Sequence, residues 1–145
     1  MPTRRAHTTW TGGLADGAGT VTLVSSGIGS YEISFPKRAA DDAGGATSPE
    51  ELIAAAHAGC FAMQFSALLG AAGGSSQSLD VTADVTLGPD PAGGFRISGI
   101  KLTVGGSADG ISADDFAKIA ADAKGGCPVS KALAGTTITL EMAGG

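Results

Sequence analysis

Cys60 and Cys127 are the only cysteines of the chain, 67 positions apart, and each stands near residues that could change its reactivity. The spacing is neither a CxxC redox pair nor a zinc framework. In a reducing compartment a permanent structural disulfide is not expected. The thiols are therefore either inert packing, the commonest fate of a free cysteine, or a catalytic pair that cycles. Chemistry needs the thiolate, and a thiolate needs a positive environment. Cys127 precedes Pro128; with proline at the first helical position, Cys127 becomes the N-cap, at the positive end of the helix dipole. Cys60 closes the stretch TSPEELIAAAHAGC (47–60), in mid-helix, and gains nothing from its own dipole. It needs a cation from elsewhere. Arg38 suits, because arginine keeps its charge when desolvated, and a desolvated arginine in turn needs a carboxylate such as Glu50. His57, three positions before Cys60 on the same helix face, would suit a Cys–His pair. Side chains so close on one helix splay, however, and no third residue is evident to orient the ring. Taken singly, Arg38 also reads as a solvated loop charge and Glu50 as a first-turn carboxylate serving the dipole.

The elements that must position these residues are legible in outline. His7–Thr11, Gly19–Ser25 and Tyr31–Phe35 read as strands, rich in β-branched and aromatic residues and separated by glycines. Residues 37–46 (KRAADDAGGA) read as a polar loop. Ser48-Pro49-Glu50-Glu51 combines an N-cap, a proline at the first helical position and a capping-box glutamate. The helix it starts should run to about Leu69. Its apolar residues are not confined to one stripe, so it is expected to be buried all round. Leu79–Leu87 alternates as a half-buried strand. In Phe95–Val104 the apolar phase shifts, which a β-bulge near Ser98-Gly99 would explain. Ser112 caps a second helix, stopped by Gly125-Gly126. Cys127–Leu133 reads as a short third helix and Thr136–Met142 as a closing strand. The order β-β-β-α-β-β-α-α-β predicts an α+β fold of antiparallel sheets with a buried central helix, in one domain over residues 1–145.

The totals exclude several classes. A net charge of −5 and the lack of any Lys/Arg cluster argue against a nucleic-acid surface or a polybasic membrane anchor. No apolar run follows Arg4 and Arg5, as a signal peptide would require. The apolar stretch Leu52–Met63 is too short to span a bilayer. A cytoplasmic protein is expected. Aromatics are only 5% of the 145 residues and glycines number 24, so the core is built mainly from Ala, Val, Ile and Leu.

Taken together, T-S-P-E-E-L-I-A-A-A-H-A-G-C-F and the later G-C-P-V-S-K-A-L resemble the OsmC/Ohr family of thiol peroxidases. The resemblance extends to the W-T-G start, the G-T-V strand and the T-A-D-V-T-L strand. A-A-H-A-G-C-F is nearer the OsmC branch than the Ohr branch, where a tyrosine usually replaces the histidine; His57 is then not an obligatory catalytic residue. The resemblance implies that Cys60 is the peroxidatic cysteine and Cys127 the resolving one. Glu50 falls at the family's glutamate, and Arg38, after F-P-K, at its arginine. Ser48 stands where asparagine is commoner; both residues cap helices.

Ten residues of one helix separate Glu50 from Cys60, roughly 15 Å along the axis. Glu50, and Arg38 with it, would therefore serve the Cys60 of a second subunit. That agrees with the intertwined homodimer the resemblance implies. The implied reaction reduces an organic hydroperoxide to an alcohol, with hydrogen peroxide open as a second substrate. It runs through a Cys60 sulfenic acid and a Cys60–Cys127 disulfide, recycled by a dithiol reductant such as a lipoylated protein. The apolar helix would line the pocket for the alkyl group, and no metal or organic cofactor is needed. Two other readings compete: a peroxide-sensing redox module without efficient turnover, and a ligand-binding dimer whose cysteines merely pack.

Overall fold

The computed structural model describes residues 1–144. Two compact units divide the chain, the first from Met1 to Leu52 and the second from Ile53 onward. In the first unit β1 (His7–Thr11), β2 (Ala18–Thr22) and β3 (Ser30–Ile33) form an antiparallel sheet in the order β1-β2-β3. Gly12, at φ +92°, takes the chain out of β1 through backbone space that disfavours a side chain.

The sequence expectation of a strand to Phe35 and a loop from residue 37 is corrected here. The strand stops at Ile33, and Phe35–Ala39 forms a short helix, α1, so Arg38 sits on a helical turn. The cause is local: Ser34 Oγ accepts from the Lys37 amide, and Pro36 fills a first-turn position where no amide partner is needed. The Arg38 amide donates to the Ser34 carbonyl at 2.9 Å, which anchors that turn.

Helix α2 (Pro49–Ala71) opens at the end of the first unit. Ser48 Oγ accepts from the Glu51 amide at 3.1 Å, as its N-cap role requires. The reciprocal half of the capping box is replaced: the Glu51 carboxylate accepts from the Thr47 hydroxyl instead.

In the second unit β4 (Ser75–Pro89) and β5 (Phe95–Asp109) pair antiparallel over their length. Thr86 pairs with Gly99 and Leu87 with Ile97, so Ser98 is the extra residue of a bulge, where the sequence phase shifts. At Gly106 (φ +127°) a Cβ would fall 2.0 Å from the Ser78 carbonyl oxygen, so this crossing admits only glycine. Helices α3 (Ala113–Gly126) and α4 (Pro128–Ala132) then lead to β6 (Ile138–Met142), which pairs parallel to β5. One parallel pair thus joins the antiparallel ones, because two helices intervene where a tight turn would have reversed the chain.

The core of this unit joins Phe61, Phe65 and Leu69 of α2 to Leu102 and Val104 of β5, to Phe116, Ala120 and Ala123 of α3, and to Cys127. Phe65 meets Phe116 edge-on, ring centres 4.8 Å apart. Over 23 residues α2 is long and apolar enough to cross a membrane by length and composition, a longer stretch than the Leu52–Met63 run expected to be too short. Its row at i, i+4 spacing, His57, Phe61, Phe65 and Leu69, is instead buried against protein. The all-round burial expected of α2 is met on that one face only: Ala55, Ala56 and Ala67 are exposed, and Met63 is 74% exposed. Phe65→Ala should destabilise the fold by about 3–5 kcal/mol. A urea midpoint moved by under about 0.5 kcal/mol would show that the packing at Phe65 is not what holds this core.

Candidate active site

Cys127 ends α3 and caps the start of α4, its amide donating to Ala123 O at 2.9 Å. Pro128 at the first helical position of α4 starts that helix at the next residue. The Cys127 side chain is fully buried, while Cys60, on α2, is half-buried. Both thiols are free, and Cys127 Sγ lies 3.1 Å from Cys60 Sγ, within hydrogen-bond reach. A disulfide requires about 2.05 Å, so a shift of about 1 Å would bring the two sulfurs to bonding distance once Cys60 is oxidised.

The two thiols experience opposite fields. Burial pushes the Cys60 thiol up, the Val129 amide pulls it down by less, and the Cys127 neighbour adds to the rise. Burial also raises Cys127, but the Ser130 amide, the Cys60 thiol, the Ser130 hydroxyl and the Val129 amide outweigh it and hold Cys127 below the ordinary thiol range. A negative charge shared by this pair therefore rests on Cys127. The groups that shift the Cys60 thiol, Val129 and Cys127, supply no cation, and its mid-helix position calls for one.

His57 does have a residue that orients it. Its Nε2 lies 2.7 Å from Ser130 Oγ, and both side chains are buried. Burial lowers the imidazole pKa, so the ring is neutral at physiological pH. Ser130 is the site residue that sequence reasoning missed. Its signal was present: Cys127 and Ser130 are the cap and third helical positions of C-P-V-S, the spacing at which side chains and amides meet at a helix start.

Arg38 and Glu50 form a second constellation, within the first unit. Arg38 Nε donates to both Glu50 oxygens (3.2 and 3.1 Å), and a terminal nitrogen donates to Oε1 at 2.6 Å. The hydrogen bond to Glu50 raises the guanidinium pKa. Burial would raise the Glu50 carboxyl, but Arg38, the residue's own amide and Ser48 together lower it. A cavity of about 240 Å³ abuts Arg38, lined chiefly by Trp10, Leu14, Ile33, Phe35 and Pro49. Within the first unit, this apolar space beside Arg38 is built by residues of β1, β3 and α1 and their neighbours, with Pro49 at the start of α2. Among the described residues, no group of three His, Cys, Asp or Glu side chains could hold a metal ion.

Residues 41–142 match the family model of OsmC-like proteins. The chain belongs to the OsmC-like family. This OsmC-like chain is 43% identical over 137 residues to peroxiredoxin OsmC of Escherichia coli K12, covering 94% of this chain and 92% of that protein. It is 39% identical over 102 residues to the organic hydroperoxide resistance protein OhrA of Bacillus subtilis, 68% of each chain. Among solved structures it resembles the organic hydroperoxide resistance protein OhrB of Bacillus subtilis, with a TM-score of 0.74 and 28% identity, over 95% of this chain and 97% of that one. The α+β architecture, with α2 packed in the core, is thus the OsmC/Ohr fold.

Proposed function

We propose that this OsmC-like protein reduces organic hydroperoxides to alcohols, with Cys60 as peroxidatic and Cys127 as resolving cysteine. That the chain is a peroxidase-like oxidoreductase follows from its family and its relatives. The observation that carries the finer reading is the pair of free thiols 3.1 Å apart. In the first step the Cys60 thiolate attacks the terminal peroxide oxygen. The S–O bond forms, the O–O bond breaks, and the alkoxide takes a proton from water to leave as the alcohol. In the second step the Cys127 thiolate attacks the Cys60 sulfenic acid, and hydroxide leaves with a proton as water. The resulting disulfide is returned to two thiols by an external dithiol, a lipoylated protein or a similar reductant.

The active assembly is a homodimer. The raised Cys60 pKa supports this, because the thiol still needs a cation. The ten helical residues that carry Glu50 away from Cys60 and the uncovered face of α2 around Met63 support it too. Arg38, oriented by Glu50, serves the Cys60 of the other subunit, lowering its pKa and stabilising charge on the peroxide oxygens. The cavity beside Arg38 takes the alkyl group. Residues 1–145 act in this dimer as one domain, in the cytoplasm.

Mixing reduced protein with cumene hydroperoxide should consume two thiols per peroxide and yield a Cys60–Cys127 disulfide by mass spectrometry. Dihydrolipoamide should then sustain turnover. In Cys127→Ser the first equivalent of peroxide should still react, but Cys60 should progress to sulfinic acid and dithiol-driven turnover should fall at least about tenfold. Peroxide loss without any Cys60–Cys127 disulfide would sink the assignment.

A further inference from the structure

We infer that His57 and Ser130 form a buried hydrogen-bonded relay to the Cys127 sulfur that readies the resolving cysteine for attack. The inference rests on the reading of Cys127 as resolving, and it gives a task to a histidine that the peroxide chemistry leaves unused. Three observations carry it. His57 is fully buried, although a histidine there forgoes the packing of an aliphatic residue. Its single polar contact among the described residues is Ser130 Oγ at 2.7 Å, and its Nδ1 has no partner there. Ser130, itself buried, bears on Cys127 through its hydroxyl, from the third position of the helix that Cys127 caps.

The direction of the hydrogen bonds follows from the unpartnered nitrogen. A buried N–H without an acceptor is rarer than a buried lone pair without a donor, so the proton belongs on Nε2. Nε2–H then donates to Ser130 Oγ. That occupies a serine lone pair and turns the Ser130 O–H toward the Cys127 sulfur. Hydrogen bonds in series polarise one another, and a donor to the sulfur favours the thiolate over the thiol. His57 is thus a positioning residue: it acts on Cys127 through Ser130 and touches neither the peroxide nor the sulfenic acid.

The step it serves is the condensation. The Cys127 thiolate attacks Cys60 Sγ, the S–S bond forms, the Cys60 S–O bond breaks, and the hydroxide takes up the proton that Cys127 had released. The groups of its own subunit that shift the Cys127 pKa are uncharged side chains and amides. Besides His57, the groups bearing on the Cys127 sulfur are the Cys60 thiol, the Ser130 hydroxyl and the amides of Val129 and Ser130. The side chains that α3 and β5 contribute to the same core, Ala120, Ala123, Leu102 and Val104, are apolar.

The test separates the two chemical steps. In rapid mixing with cumene hydroperoxide, His57→Leu and Ser130→Ala should form Cys60 sulfenic acid within about twofold of the wild-type rate. Disulfide formation should slow about tenfold or more, the worth of one hydrogen bond to a charged group. In a Cys60→Ser background, thiolate absorbance near about 240 nm should show the Cys127 titration moved up by about one pH unit in both variants. Ser130→Thr, which keeps the hydroxyl, and His57→Gln, which keeps a donor near the Nε2 position, should each recover most of the condensation rate. A structural loss would not be rescued in this pattern. Wild-type condensation rates in His57→Leu and Ser130→Ala overturn the inference, as does an unmoved Cys127 titration. A His57→Gln variant as slow as His57→Leu overturns the donor role, because it would require the ring to take up the proton. Absence of the Cys60–Cys127 disulfide in the wild-type protein is a different result and defeats the underlying assignment.

Discussion

Cys60→Ser is expected to lose peroxide reduction by roughly 10³-fold or more, down to the background reaction, as loss of a nucleophile does elsewhere. The reason is elementary. A serine hydroxyl stays protonated at neutral pH, and its oxygen cannot accept the peroxide oxygen as sulfur does in forming a sulfenic acid. Cys127 keeps in this variant the Ser130 and Val129 groups that lower its pKa, so the experiment also asks whether a buried cysteine alone suffices. It should not: Cys127 is fully buried, whereas Cys60 is the half-exposed partner that a peroxide can reach. The measurement is the rate of cumene hydroperoxide loss with dihydrolipoamide as reductant. A Cys60→Ser protein that still turns over would exchange the roles of the two cysteines, as the fields within a single chain would suggest on their own. In the proposed homodimer, the cation that reverses those fields is the Arg38 of the other subunit.

The second large effect concerns that cation. Arg38→Met should reduce kcat/KM for cumene hydroperoxide by about 10²-fold or more, the usual scale for removing one donor to developing charge. Arg38→Lys should recover little of it. Lysine offers a point charge, whereas Glu50 holds a planar fork through three contacts between 2.6 and 3.2 Å. Glu50→Gln should cost about tenfold, since a neutral amide cannot replace a carboxylate held against guanidinium. The pH dependence has a definite sign. Glu50 has a lowered pKa in the folded protein, so its contribution to stability is fully present above the unfolded carboxyl value of about 4.3 and is lost as pH falls through the lower, folded value. Activity near neutral pH should therefore not titrate with this pair. Urea midpoints measured down through about pH 4 should fall more steeply for wild type than for Glu50→Gln. Equal slopes would mean that the ion pair contributes nothing to the fold.

Local signals account for what could be read directly. Ser48 and Ser112 cap helices because a hydroxyl before a helical run meets the amide three residues on, which needs no tertiary partner. The phase shift at Ser98 announced the bulge because alternation is a property of one strand. The F-P-K run misled because Ser34 and Pro36 together favour a helical turn over the β propensity of Y-E-I-S-F. The parallel pairing of β6 was not legible, since no local pattern records which neighbour a strand takes.

For the site, the sequence by itself determined the family, the two cysteines and the helix starts around them. Residue type and near spacing set these, and both are written in the chain. Only the tertiary structure decided that Cys60 and Cys127 meet at 3.1 Å, that Arg38 and Glu50 grip each other in the first unit, and that His57 reaches Ser130. The last contact joins residues 73 positions apart. Such pairings depend on how α2 packs against the α3–α4 junction, a matter of shape and volume in a shared core that no one-dimensional period encodes.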